Sequence, residues 1–230
     1  MPSRVSVPLY QSNMTVISTA APTSAASALV AEFAGGVSSQ VDMMIGIGTV
    51  KESDAVFFQY IGDSGEPAAL MLPSGKPLTN MNEVVLTGIS VADDIGEFKA
   101  TKLNVFLQTA SGRTLLVTSG LATIWSQCVI GGLMALFNGG DLTCPFRLDT
   151  WKGNSKMKPC FAAIRVGQTK MTDNQMYEQL AEARSDGNKV RMAQILRDAV
   201  EILSHAVTGG PVEEAVVTTD ELTVTVPADF

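Results

Sequence analysis

The stretch TKLNVFLQTASGRTLLVTSGLATIWSQCVIGGLMALFNGG, residues 101–140, decides the fold. Leu103, Val105 and Leu107 alternate with Lys102, Asn104, Phe106 and Gln108, the period of a strand with one buried face. The turn Thr109-Ala110-Ser111-Gly112 predicts a hairpin with a second strand over Arg113–Thr118. Beyond it the period becomes helical. Ser119 or Thr123 can cap a helix that Asn138-Gly139-Gly140 ends, with Gly131-Gly132 weakening its middle.

Working outward, Val84–Val91 reads as a strand before the ADDIGEF segment. Two more, about Thr143–Thr150 and Cys160–Val166, follow the helix and flank the loop WKGNSKMKP, residues 151–159. Turn signals GDSGEP (62–67) and PSGKP (73–77) break residues 42–73 into a hairpin or small meander. From Thr172 or Asp173 the pattern predicts two helices split at Ser185-Asp186-Gly187-Asn188. The second has an amphipathic face of Met192, Ile195, Leu196, Ala199, Val200 and Leu203. Such a face must pack on the β-rich part or on a second copy, so a homo-oligomer is expected.

The ends differ in composition. Residues 1–41 read as an N-terminal arm with a linker of small polar residues from 18 to 40, and 209–230 as a flexible tail with five acids and no base. Between them stand a β-rich domain over 42–171 and a helical pair over 172–208.

Charge is unevenly distributed. The net charge of −7 argues against a nucleic-acid partner as a bulk figure. Yet residues 99–170 hold nine bases against two acids, a local +7, while the rest of the chain sums to −14. Strand alternation sends Lys102 and Phe106 outward on one strand, Arg147, Asp149 and Trp151 on another, and Phe161 and Arg165 on a third. Arg113 sits by the hairpin turn, and Lys152, Lys156 and Lys158 lie in an acid-free loop. Rings interleaved with cations suit single-stranded nucleic acid, because bases stack at about 1–3 kcal/mol each and phosphates pair with Lys and Arg.

Catalytic patterns are poor. His205 is the sole histidine and sits near a helix end; Asp93-Asp94 with Glu97 reads as a solvated turn. Gly46-Ile47-Gly48 lacks the third glycine of a phosphate fingerprint, and Cys160 has no base placed beside it by a motif. Cys128, Cys144 and Cys160 are too widely spaced for a structural zinc site and suit a reducing compartment. Neither an enzyme, a metal site nor a cofactor is expected. With no secretory layout near Arg4 and no apolar run of about 18 residues, the expectation is a cytoplasmic protein with no membrane partner.

The order of three strands, helix and two strands over about 84–167, with a long basic-aromatic loop between the last two, resembles the OB-fold. The layout is similar to single-stranded-DNA-binding proteins of bacteria and their phages, whose acidic tails end in Asp-Phe; here the chain ends Pro227-Ala228-Asp229-Phe230, behind Asp220-Glu221. The resemblance implies a mainly β fold with helices: an OB-like five-stranded barrel with extra N-terminal hairpins and a C-terminal helical pair. It implies a non-catalytic protein that coats single-stranded DNA, with RNA also compatible. Replication, repair or recombination proteins would be recruited through Asp220, Glu221, Asp229 and Phe230. The chain departs from that class in its dispersed terminal acids, its 42–73 hairpins and its 173–207 helices. The alternative is a structural, self-assembling β-rich protein such as a phage virion or shell component.

Overall fold

The computed structural model describes residues 41–50, 53–61, 66–96, 99–154 and 158–209. The arm over 1–40, the tail from 210 with Asp220, Glu221, Asp229 and Phe230, and Lys156 lie outside the described residues.

The centre of the fold is β4 (Asn80–Ile95), a 16-residue strand twice the length that Val84–Val91 suggests. Its polar ends, Asn80 to Glu83 and Asp93-Asp94, hide it from a hydrophobicity reading. Register shifts between Met81 and Val84, where Glu83 takes φ 50°, and between Leu86 and Gly88 mark bulges. They let one strand serve two partners. Residues 80–84 pair with β7 (Phe146–Lys152) and residues 85–95 with β5 (Ala100–Gln108). β5 turns at Thr109–Arg113 into β6 (Thr114–Gly120), and Gly112, at φ 81°, takes the left-handed position of that turn. β7 pairs with β8 (Cys160–Val166), and β8 with the short β9 (Thr169–Met171).

These ladders are antiparallel and follow the expected order, but the expected barrel does not close. β6 pairs in parallel with β1 (Met43–Ile47), which carries β2 (Phe57–Ile61) and β3 (Glu66–Ala69) beyond it. β8 gives its far edge to β9. Both edges that would meet in a five-stranded barrel are therefore occupied, and the described residues form an open nine-stranded sheet in the order β3-β2-β1-β6-β5-β4-β7-β8-β9. The 42–73 segment extends the main sheet instead of standing beside it.

One face of this sheet is covered. Ile45, Phe57, Val84, Ile89, Leu103, Val105, Leu107, Val117, Leu148 and Ile164 form one buried core with Trp125, Val129, Ile130 and Leu133 of α1 (Ile124–Asn138). Each fully buried aliphatic side chain contributes about 1.5–3 kcal/mol. Thr123 caps α1, its hydroxyl accepting from the Ser126 N–H, and Gly139-Gly140 end the helix. Gly131-Gly132 are contact points, not merely weak points. A Cβ at Gly132 would lie 2.8 Å from Ile164 Cβ, and one at Gly131 3.0 Å from Met176 Cε. Two bare positions thus let α1 sit close on β8 and on α2 (Asn174–Ser185).

The helical pair follows the expected break. Asp173 caps α2, and Asn188 caps α3 (Lys189–Thr208), whose Leu196, Ala199, Val200 and Leu203 enter the same core against β4 and α1. The fold is mainly β with helices on one face. Among the described residues no helix is long and apolar enough to cross a membrane.

Candidate nucleic-acid interface

The helix-free face of β7 and β8 carries the residues that alternation sends outward. Phe146, Leu148 and Thr150 are buried, so Arg147, Asp149 and Trp151 project from the other side. On β8, Ala162 and Ile164 face the core and Phe161, Ala163 and Arg165 do not. Trp151 is directly opposite Phe161 in the ladder, and the rings stack with centroids 5.9 Å apart and planes 12° from parallel. Trp151 keeps 44% of its surface exposed, although its ring is large and apolar. Gly153 makes room for the pair, since a Cβ there would lie 2.7 Å from Phe161 Cε2.

Four residues along, Arg147 is directly opposite Arg165. Like charges in that relation repel. Asp149 resolves the conflict: its Oδ2 accepts from Arg147 Nη2 and Arg165 Nε, each at 3.0 Å. Arg147 Nε approaches Oδ1 to 2.9 Å without hydrogen-bond alignment. The carboxylate cancels one of two charges and fixes the spread of both guanidiniums. Lys170 of β9 is opposite Arg165, exposed, and adds a third cation to the row.

The loop after β7 is less free than its composition suggests. Lys152 Nζ donates to the Ser53 carbonyl at 2.5 Å, tying the β7 end to the chain before β2. Lys158 holds a left-handed φ of 43° and is exposed. With Thr49, Val50, Ser53 and Asp54 the two lysines line a hollow of about 360 Å³.

β5 gives a mixed result. Lys102 lies on the helix-free face, half-buried between Ala92 of β4 and Gly120 of β6. Phe106 shares that face but is not an open platform. It is 7% exposed, and its ring comes so close to Gly88 that a Cβ there would lie 3.2 Å from Cδ2. Arg113 is exposed at the β5–β6 turn, where its carbonyl accepts from the Thr109 N–H; it belongs to neither cross-strand row.

The weaker candidates have structural roles or none. Asp93 accepts from Thr101 and from both terminal nitrogens of Arg197, joining β4 to α3, and these bonds hold its carboxyl below the usual range. Burial pushes the Cys160 thiol up, the wrong direction for a nucleophile. His205 is exposed on the last turn of α3, and Gly46 and Gly48 lie beneath the Phe58 ring. Among the described residues no three His, Cys, Asp or Glu side chains are grouped to hold a metal ion.

Sequence reasoning passed over Lys170, in a three-residue strand too short for alternation, and the aromatics of β2. In FFQYI the adjacent rings Phe57 and Phe58 hide the parity; only the pairing of Ile47 with Phe57 and Gly46 with Phe58 assigns the first to the core and the second to the open face. In comparisons with known proteins the chain matches no protein-family model, no curated protein and no solved structure.

Proposed function

We propose that this protein binds single-stranded nucleic acid, DNA first among the substrates, without catalysis. The observation that carries the reading is the exposed Trp151–Phe161 stack beside the Arg147–Arg165–Lys170 row on a face that no described helix covers. A ring pair offers stacking to any base, and the cation row offers pairing to successive phosphates, so binding is strong in salt dependence and weak in sequence preference.

The architecture supports the same reading at a finer level. We read the run β6-β5-β4-β7-β8, whose edges β1 and β9 take, as an OB-like module left open. OB-folds bind oligonucleotides on the face of their second and third strands and on the loops after the first and fourth. In this chain those are β5, β6 and the connections that follow β4 and β7.

The acidic tail belongs to the proposal as competitor and recruiter. Its five acids oppose the basic module, and Asp229-Phe230 is the segment offered to replication or repair proteins. The self-assembling shell reading draws on the two sheet edges, β3 and β9; at four and three residues they are short templates for further pairing.

Fluorescence anisotropy of labelled oligo(dT) at low salt tests the proposal, using the full chain and a version ending at Gly209. Binding by both, tighter for the shortened chain, is the expected result. No binding by either ends the proposal, and large assemblies by light scattering without nucleic acid would favour the shell reading.

A further inference from the structure

We infer that a bound strand does not end at Trp151–Phe161 but crosses the sheet to a second stacking site on β2, made by Phe58 and Tyr60; this rests on the nucleic-acid reading. The strand pairings align Phe58, Gly46, Thr118, Asn104 and Ser90 in one cross-strand row over β2, β1, β6, β5 and β4. All of them lie on the helix-free face, because their neighbours Phe57, Ile45, Val117, Val105 and Ile89 are in the core.

The row has the chemistry of a nucleotide track. At its end Phe58 and Tyr60 meet edge to face, centroids 5.2 Å apart at 85°, with Tyr60 51% exposed. A Cβ at Gly46 would overlap the Phe58 ring, so this ring rests directly on backbone. The middle is small and polar, with two hydroxyls and an amide. Ser90 Oγ is buried, so the polar groups that the row offers at the surface are those of the half-buried Thr118 and Asn104. Lys102 flanks Asn104, and between Met44 and Gly120 the outward positions of β1, β5 and β6 carry no acid.

Six inter-strand steps separate Phe161 from Phe58, about 29 Å across the strands, and the run from Ser90 back to Asn80, where β4 meets β7, adds about 33 Å along them. A short oligonucleotide therefore reaches one ring pair and a long one reaches both. β1 and β2 lie outside the OB-like run, so the extension of the sheet gains a role: it lengthens the binding track.

The test compares dT oligomers of about four and about 16 nucleotides, the limits of one OB-type site, on the full chain. Tyr60→Ala, an exposed position that the fold tolerates, should weaken the longer oligomer about fivefold or more and leave the shorter unchanged. Asn104→Asp, which puts an acid in the track, should act the same way at low salt. A strand carrying 5-iododeoxyuridine should photocrosslink to the peptide containing Phe58 and Tyr60. If Trp151→Ala weakens both lengths while Tyr60→Ala and Asn104→Asp change neither, the second site is refuted and the proposed function stands. If the unaltered protein binds neither length, both are refuted.

Discussion

Trp151 and Phe161 face each other across the β7–β8 ladder, with ring planes 12° from parallel and the tryptophan 44% exposed. The only other tryptophan, Trp125, is wholly buried in α1. Oligo(dT) should therefore quench emission from Trp151 alone. Trp151→Phe should abolish the optical response while keeping most of the affinity, and Trp151→Ala should weaken binding by about 1–3 kcal/mol, the worth of one stacked base. Quenching that persists in Trp151→Phe would place the strand elsewhere.

Asp149 holds Arg147 and Arg165 apart and removes one positive charge from the row. Asp149→Asn keeps an acceptor between the guanidiniums but deletes the charge, so affinity at low salt should rise. Arg165→Gln should lower it and flatten the plot of log K against log salt by about 0.7, the value for one phosphate contact on a single strand. Equal salt slopes in all three proteins would remove these arginines from the interface.

Gly132 of α1 lies against Ile164 of β8, where a Cβ would come within 2.8 Å of Ile164 Cβ. Helix propensity alone favours Gly132→Ala by about 0.8–1 kcal/mol. Overpacking costs about 1–3 kcal/mol, and we expect it to win. Urea unfolding should show a lower midpoint at unchanged m-value; a raised midpoint would mean that the helix has room to move away.

Asp93 joins β4 to α3 through Arg197 and Thr101, which hold its carboxyl below the ordinary value. A depressed folded-state pKa stabilises above the unfolded value near 4 and loses that contribution as pH falls through the lower folded value. The pair is exposed, with half of the Asp93 side chain in solvent, so solvent screening limits it to about 0.2–1 kcal/mol. Asp93→Asn should cost that much at pH 7 and progressively less as pH falls below the unfolded value. A cost independent of pH would show that the Thr101 hydrogen bond, not the charge, holds the two elements together.

The outward set on β7 and β8 is legible because apolar and polar residues strictly alternate from Phe146 to Asp149 and β8 keeps Ala162 and Ile164 in phase. Phe106 was assigned to the correct face, but its burial depends on Gly88, a neighbour from another strand that no local pattern reveals. Barrel closure failed for a similar reason. The parallel pairing of Met43–Gly46 with Leu115–Thr118 joins segments about 70 residues apart and has no turn to announce it. Lys152 read as a free cation because its acceptor, the Ser53 carbonyl, is 99 residues away.

The most direct measurement is a titration of labelled oligo(dT) and of a duplex of equal length at several salt concentrations. Binding to the single strand should weaken steeply with salt and be lost in large part in Trp151→Ala, with the duplex bound more weakly throughout. Equal affinity for both forms, or affinity indifferent to salt and to Trp151, would contradict the proposed function.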